Sequence, residues 1–179
     1  MKLEKYIELL ESNTMETTRL LEIADSLQIM PPDGGWSVAQ VLERLLLTER
    51  FIYEQLHKPS LYKATDIVIL GEFKLRKLLI ETDEAHITPA FPEPGSHSGS
   101  IKQLLKRFTE TRKLLLQELR TGKLIIDRRY YINPHLGEMT AMDWLIFIPL
   151  HAERQLLQTS RLLNDKLKHP FAKMPALNK

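Results

Sequence analysis

Apolar residues recur at helical spacing over four long stretches of this chain, and this periodicity constrains the fold more than any other feature. In an amphipathic helix, apolar side chains recur every three or four residues and form one stripe that faces the core. The four stretches cover residues 3–28, 38–57, 101–120 and 140–166. Because no convincing strand accompanies them, they predict an all-α fold, a four-helix bundle.

The segments between these stretches predict how the helices are connected. Proline and glycine dominate residues 31–35, so a short loop makes the first two helices antiparallel neighbours. Ser37 is a favourable N-cap for the second helix, and Gln40 completes a capping box three residues later. Residues 58–100 form a long connection between the second and third long helices, with a further short helix expected at 65–80. A connection of this length permits a crossover, so a simple up-down-up-down order is not required.

The remaining boundaries complete the predicted domain. Ser100 caps the third long helix, and Gly122 ends it. Residues 123–138 are expected to form an irregular link to the last helix. The bundle is predicted to occupy residues 1–168 as one domain, and the proline-containing residues 169–179 to form a loosely held C-terminal tail.

Composition narrows the class of protein. The chain has 179 residues, a formal net charge of +2 and no cysteine, which excludes disulfides, a thiolate nucleophile and cysteine-based zinc sites. The small net charge and scattered basic residues give no support for nucleic-acid binding. No signal peptide is expected, and no window reaches the roughly 20 apolar residues that span a bilayer. We therefore expect a cytoplasmic protein that is not a membrane protein.

Polar residues interrupt the apolar faces at the positions where a binding site is expected. Arg44 lies within the stripe of the second helix, and His151 and Gln155 lie one turn apart on one face of the last helix. Gln158 adds a polar group one turn later, and Pro149 bends the helix just before His151. Each residue also has a structural interpretation, since a single histidine in an apolar helix is often hydrogen-bonded in the core and an arginine often extends to solvent.

At these positions the chain resembles the DinB/YfiT-like superfamily. Residues 35–45 read GWSVAQVLERL and resemble the motif that opens the second helix of that family, in which a histidine normally stands at the position of Arg44. The resemblance extends in helix order over nearly the whole chain. It implies an up-down-down-up four-helix bundle, which in this family is often a homodimer.

A second motif near the C-terminus carries the same resemblance. Residues 133–147 read NPHLGEMTAMDWLIF and residues 151–158 read HAERQLLQ, whereas the family motif has two histidines four apart and then a glutamine. His151 matches the first histidine and Gln158 matches the glutamine. Gln155 replaces the second histidine, and its amide is a poor ligand for zinc or nickel.

These departures imply a lost metal site. In the family, three histidines hold a divalent metal such as nickel or zinc, and some members are metal-dependent thiol transferases. Here only His151 remains, and Arg44 places a permanent positive charge where the cation would lie. We therefore expect neither a bound metal nor another cofactor, unless His97 or His135 folds back from a loop to supply a missing ligand.

Three functional hypotheses follow. In the first, the chain binds a small anionic ligand in a polar pocket. In the second, it is an enzyme without a metal, a thiol S-transferase-like protein in which His151 is the general base and Arg44 stabilises negative charge. In the third, the polar residues satisfy one another and have a structural role. The residues of the pocket are Arg44, His151, Gln155 and Gln158.

Overall fold

Helices account for most of the computed structural model, as the apolar periodicity predicts. The structure describes residues 2–26, 36–81 and 100–168, and the side chains of residues 158 and 162–168 lie outside this description. Within the described residues, no helix is long and apolar enough to cross a membrane.

The helix bounds agree closely with the predicted ones. The tail at 169–179 and the proline- and glycine-containing segments at 31–35 and 88–99 lie outside the described residues. The helices are α1 (Leu3–Ser26), α2 (Val38–His57), α3 (Gly71–Arg76), a π-helix (Lys77–Glu81), α4 (Ile101–Thr121) and α5 (Ala141–Lys168).

Local hydrogen bonds explain where the second and third long helices begin. The Ser37 N–H donates to Gln40 Oε1 at 2.9 Å, and the Gln40 N–H donates to Ser37 Oγ at 3.3 Å. Ser100 and Gln103 form the same reciprocal pair at the start of α4. Gly122 ends α4 at a φ of 67°, a left-handed conformation that glycine adopts without steric cost. The predicted caps are therefore confirmed.

The link before the last helix is more regular than the sequence predicts. Within residues 123–138 we expected no regular structure, but β1 (Tyr130–Asn133) pairs antiparallel with β2 (Gly137–Thr140). The fold is therefore mainly helical with one small sheet. Because Thr140 belongs to β2, α5 begins one residue later than predicted, at Ala141.

The hairpin turn depends on one side chain and one glycine. Asn133 Oδ1 accepts the backbone N–H groups of His135 and Leu136, at 2.9 and 3.0 Å. Gly137 follows with a φ of 75°, which favours glycine. This turn chemistry reverses the chain within three residues, and the backbone hydrogen bonds of the two strands then form.

The predicted short helix at 65–80 is only partly present, because α3 begins at Gly71 and continues directly into the π-helix. Asp143, in the first turn of α5, accepts the N–H groups of Ile69, Leu70 and Gly71 at 2.8–3.1 Å. One buried carboxylate thus attaches the N-terminal end of this segment to α5, an arrangement that a carboxylate at helix N-termini favours.

Contacts between α1 and α5 show that these helices run in the same direction. The Tyr6 hydroxyl donates to the Leu145 carbonyl at 2.9 Å, and Asn13 Nδ2 donates to the Pro149 carbonyl at 3.5 Å. Proline at 149 cannot donate to the Leu145 carbonyl, so the Tyr6 hydroxyl supplies the missing hydrogen bond. Burial raises the pKa of Tyr6, which keeps this donor protonated. The backbone hydrogen bond that is lost at Pro149 is therefore replaced by a side-chain hydrogen bond within the core.

The other pairs of helices are related in a similar way. Glu49 of α2 binds Arg112 of α4, and further along both helices Tyr53 binds Glu118. Since the residue numbers rise together, α2 and α4 are parallel. The helices α2 and α5 are in contact through the rings of Phe51 and Trp144, which meet edge to face with centroids 6.0 Å apart.

Buried apolar side chains form two clusters, and the candidate site lies where they meet. Phe147 belongs to the first cluster and Ala152 to the second, so His151 lies at their boundary on α5. Arg44 lies among members of the second cluster. Its neighbours in that cluster along α2 are Val41, Leu42, Leu45 and Leu46.

Candidate functional site

Arg44 lies in the interior on α2 and does not extend to solvent. Only 2% of the residue is exposed, and its Cζ lies 5.6 Å from the centroid of the Trp36 ring. Trp36 immediately precedes Ser37, so the capping box fixes the chain that carries this ring. A guanidinium over an indole face is stabilised electrostatically. The interpretation of Arg44 as an arginine that reaches solvent is therefore wrong.

His151 and Gln155 lie one turn apart on α5, and both are buried. His151 is fully buried, with its ring stacked on that of Phe147 at a centroid distance of 5.6 Å and an angle of 15°. Gln155 is 3% exposed, and its backbone carbonyl accepts the Thr159 hydroxyl at 3.0 Å. The helical spacing thus places both side chains in the core, as the sequence predicts.

The surroundings of His151 keep its imidazole neutral. Burial, as the largest cause, and the positive charges of Arg44, Arg154 and Arg112, in that order, together lower the pKa of His151 to about 3. The usual pKa of histidine is 6.5. Because the pKa of His151 lies far below 7, its imidazole is uncharged at neutral pH. His151 is therefore an uncharged imidazole on which the positive charges of three arginines act.

The structure brings Arg44 and His151 to the same level of α2 and α5. The Phe51 ring contacts the Trp144 ring. Arg44 lies seven residues before Phe51 on α2, and His151 lies seven residues after Trp144 on α5. The charge of Arg44 also acts on His151. The two helices are antiparallel, because α5 is parallel to α1 and α2 is parallel to α4, whereas Arg112 and Arg120 of α4 bind Asn13 and Glu11 of α1 in reverse order. Gln155 then lies one turn beyond His151 on the same face.

The remaining candidates stand apart or cannot be placed. The side chain of Gln158 and all of His97 lie outside the described residues. His135 is exposed in the turn between β1 and β2. Because His151 is fully buried on α5, the structure does not bring His135 into the same set of residues.

A buried ion pair beside this site was missed by the sequence analysis. Arg112 is fully buried on α4 and donates through Nε and Nη2 to the carboxylate of Glu49 at 2.6–3.1 Å. Its Cζ also lies 4.5 Å from the centroid of the Phe108 ring. A signal was present, since Glu49 falls seven residues after Leu42 in the apolar stripe of α2. It indicated a charged residue in the core but not its partner.

Asn13 extends this pair to the two other long helices. Arg112 Nη1 donates to Asn13 Oδ1 at 2.7 Å and to Thr14 Oγ1 at 3.1 Å. Through its Nδ2, Asn13 also reaches the Pro149 carbonyl on α5. One polar network therefore contacts α1, α2, α4 and α5 immediately before the turn that carries His151.

Arg154, which also acts on His151, is held by the π-helix. Its Nη1 donates to the Leu79 carbonyl, and the neighbouring Glu153 makes a bidentate pair with Arg76 at 2.8 and 3.0 Å. These contacts fix the 71–81 segment along α5, one turn beyond His151. They also fix the position of the Arg154 charge relative to the site.

A second titratable cluster closes the ends of α2 and α4. The buried carboxylate of Glu118 accepts hydrogen bonds from Tyr53, His57 and Lys123 at 2.7–3.0 Å. Burial alone would raise the pKa of Glu118, but hydrogen bonds from Lys123, Tyr53 and His57 outweigh it and hold the pKa below its usual range. Glu118 is thus an ionised, fully bonded group that ties the two helix ends together.

Comparison with known proteins identifies one family. A family model described as the DinB superfamily matches residues 7–159, which is most of the chain. No curated protein and no solved structure matches the chain.

The residues at the site do not fit a divalent metal of the kind held by three histidines. Among the described residues, no three or more histidine, cysteine or acidic side chains are grouped in a way that could hold a metal ion. His151 supplies one imidazole, whereas Gln155 offers an amide and Arg44 a fixed cation. The charge of Arg44 already lowers the pKa of His151, so it would also repel a metal cation at that ring.

Proposed function

Since the chain belongs to the DinB superfamily, we propose that it is a member whose metal site has become a binding site for a small anion. One observation carries this proposal, namely that the buried charge of Arg44 acts on a neutral His151. A buried positive potential favours an anion for the reason that it disfavours a metal cation. The anion would contact Arg44 and Gln155, with His151 as a neutral hydrogen-bond donor and Gln158 as a further candidate.

The charges around the site support this choice of ligand. The charge of Arg112 is balanced at close range by Glu49, which binds its Nε and Nη2. The positive charges of Arg44 and Arg154 lower the pKa of His151 more than the charge of Arg112 does. A carboxylate or phosphate accepts the planar donors of a guanidinium well, and such charge-assisted hydrogen bonds are strong.

The proposal includes the arrangement of the helices. We propose that the four long helices form an up-down-down-up bundle within residues 1–168. The support is the direction of the hydrogen bonds between helices: α1 runs parallel to α5, α2 runs parallel to α4, and α1 runs antiparallel to α4. In this arrangement Arg44 and His151 face each other across the interior.

The enzymatic hypothesis has less support. A general base works best when its pKa lies near the operating pH, and burial lowers the pKa of His151 to about 3. A neutral imidazole of such low basicity abstracts protons poorly from a thiol. Two candidate acidic residues, Glu49 on α2 and Glu153 on α5, bind Arg112 and Arg76 instead.

We expect the natural protein to bind acetate, and Arg44→Met to weaken this binding at least tenfold, because a charge-assisted hydrogen bond contributes about 1.5–3 kcal/mol. Isothermal titration calorimetry at neutral pH measures both affinities. The matched control is Arg50→Met on the same helix, since the Arg50 side chain is 71% exposed and pairs with Glu54.

A further variant, Arg44→Lys, separates loss of charge from loss of the fold and is expected to keep part of the affinity. Equal binding of acetate by Arg44→Met and by the natural protein would contradict the proposal. So would a natural protein that binds neither acetate nor inorganic phosphate, a result that favours the structural hypothesis.

A further inference from the structure

Two buried polar atoms near Arg44 and His151 lack a hydrogen-bond partner within the described part of the chain. They are the hydroxyl oxygen of Thr48, which is fully buried, and the side-chain oxygen of Gln155, which is 3% exposed. Buried polar atoms in native proteins are nearly always hydrogen-bonded, since each one left without a partner is costly. Such atoms beside a proposed binding site indicate what the missing partner must offer.

The helices place these two atoms on the faces that form the site. Thr48 lies one turn after Arg44 on α2, and Gln155 lies one turn after His151 on α5. Residues four apart on a helix share a face, with a rise of about 6 Å between them. Thr48 lies between the levels of Arg44 and the Phe51–Trp144 contact. Because α2 and α5 run antiparallel, Thr48 and Gln155 lie one turn to either side of the level of Arg44 and His151. Side chains on a helix lean towards its N-terminus, so both lean towards that level.

The chemistry of the two atoms differs. The Gln155 side-chain oxygen only accepts hydrogen bonds, so its missing partner must be a donor. A simple carboxylate has no donor at neutral pH. The Thr48 hydroxyl both donates and accepts, and its position one turn from Arg44 lets it donate to the same acidic group.

We infer that the ligand of this site is a small hydroxy acid, whose carboxylate is bound by Arg44 and Thr48 and whose hydroxyl donates to the Gln155 side-chain oxygen. This inference rests on the proposed function, because it specifies the anion that the site selects. A trapped water molecule is the alternative partner for both atoms. Water would satisfy them without any preference between acids.

The test compares glycolate with acetate, two small monoanions at neutral pH that differ by one hydroxyl group. We expect the natural protein to bind glycolate at least about tenfold more tightly than acetate, measured by isothermal titration calorimetry, because glycolate pairs a buried acceptor that acetate leaves unpaired. In Gln155→Met, which is similar in size and lacks the acceptor, glycolate is expected to bind no better than acetate.

Thr48→Val removes the hydroxyl at nearly constant volume and is expected to weaken the binding of both acids by a similar factor. Its matched control is Thr17→Val, because Thr17 is also fully buried but its hydroxyl already donates to the Asn13 carbonyl at 2.6 Å. Thr17→Val is expected to bind both acids as the natural protein does.

The outcomes separate the inference from the proposed function. Equal affinity of the natural protein for acetate and glycolate overturns the inference and leaves anion binding in place. A glycolate preference that survives in Gln155→Met also overturns it, since another group would then bind the hydroxyl. Failure of both acids to bind the natural protein overturns the inference, and failure of inorganic phosphate to bind as well overturns the proposed function.

Discussion

Replacing Arg112 by methionine is expected to lower the free energy of unfolding by about 3–5 kcal/mol, the usual cost of breaking a buried ion pair. The substitution removes all of the hydrogen bonds that Glu49 receives from α4 and leaves its carboxylate as a buried charge. It also removes the donor that Asn13 Oδ1 accepts. Equilibrium unfolding in urea, followed by circular dichroism, measures the change.

A double-mutant cycle tests the cause of this loss. In Arg112→Met/Glu49→Leu no charge remains buried, so the double variant is expected to be more stable than Arg112→Met alone. The exposed pair Arg50–Glu54 is the control, and Arg50→Met is expected to cost about 1 kcal/mol or less. If Arg112→Met costs no more than Arg50→Met, the buried network does not stabilise the fold.

The second large effect is a loss of stability in acid that originates at His151. Burial lowers the folded-state pKa of His151 from 6.5 to about 3, so between these values the unfolded chain binds a proton that the folded chain excludes. The contribution is therefore fully present above pH 6.5 and is lost as the pH falls towards 3. The expected slope is about 1.4 kcal/mol per pH unit, or about 2 kcal/mol between pH 6.5 and 5.

Urea unfolding of the natural protein and of His151→Phe at several pH values isolates this term. Phenylalanine keeps an aromatic ring against Phe147 and cannot titrate, so the stability of the variant is expected to fall less between pH 6.5 and 5. Glu118, whose pKa is lowered, contributes only in more acidic solution, below its usual value of 4.5. Parallel pH profiles for the two proteins would show that His151 is not held neutral by the fold.

The helices and their caps could be predicted from the sequence because their causes are local. Ser37 and Ser100 each have a glutamine three residues later. Gly122 directly follows the last residue of α4. Apolar spacing also placed His151 and Gln155 on one buried face. The presence of interior polar residues was thus visible in the pattern before any packing was known.

Features that depend on distant partners could not be predicted in this way. Glu49 and Arg112 are 63 positions apart. The donor that replaces the missing Pro149 N–H at the Leu145 carbonyl is Tyr6, near the other end of the chain. The hairpin was missed because its strands have only four residues each, too short for a clear alternation of apolar and polar residues. Arg44 was open to two interpretations because only tertiary packing decides whether a long cationic side chain reaches solvent.

The most direct test of the central claim is a calorimetric titration with nickel and zinc of the untagged natural protein and of Arg44→His/Gln155→His. That double variant restores histidines at both positions that differ from the family pattern. We expect the natural protein to bind neither metal and the variant to bind about one ion per chain, since three histidines form a typical nickel or zinc site. A natural protein that binds about one ion per chain would contradict the account. Arg44 would then not exclude a cation, and a metal-dependent thiol transferase would become the better interpretation.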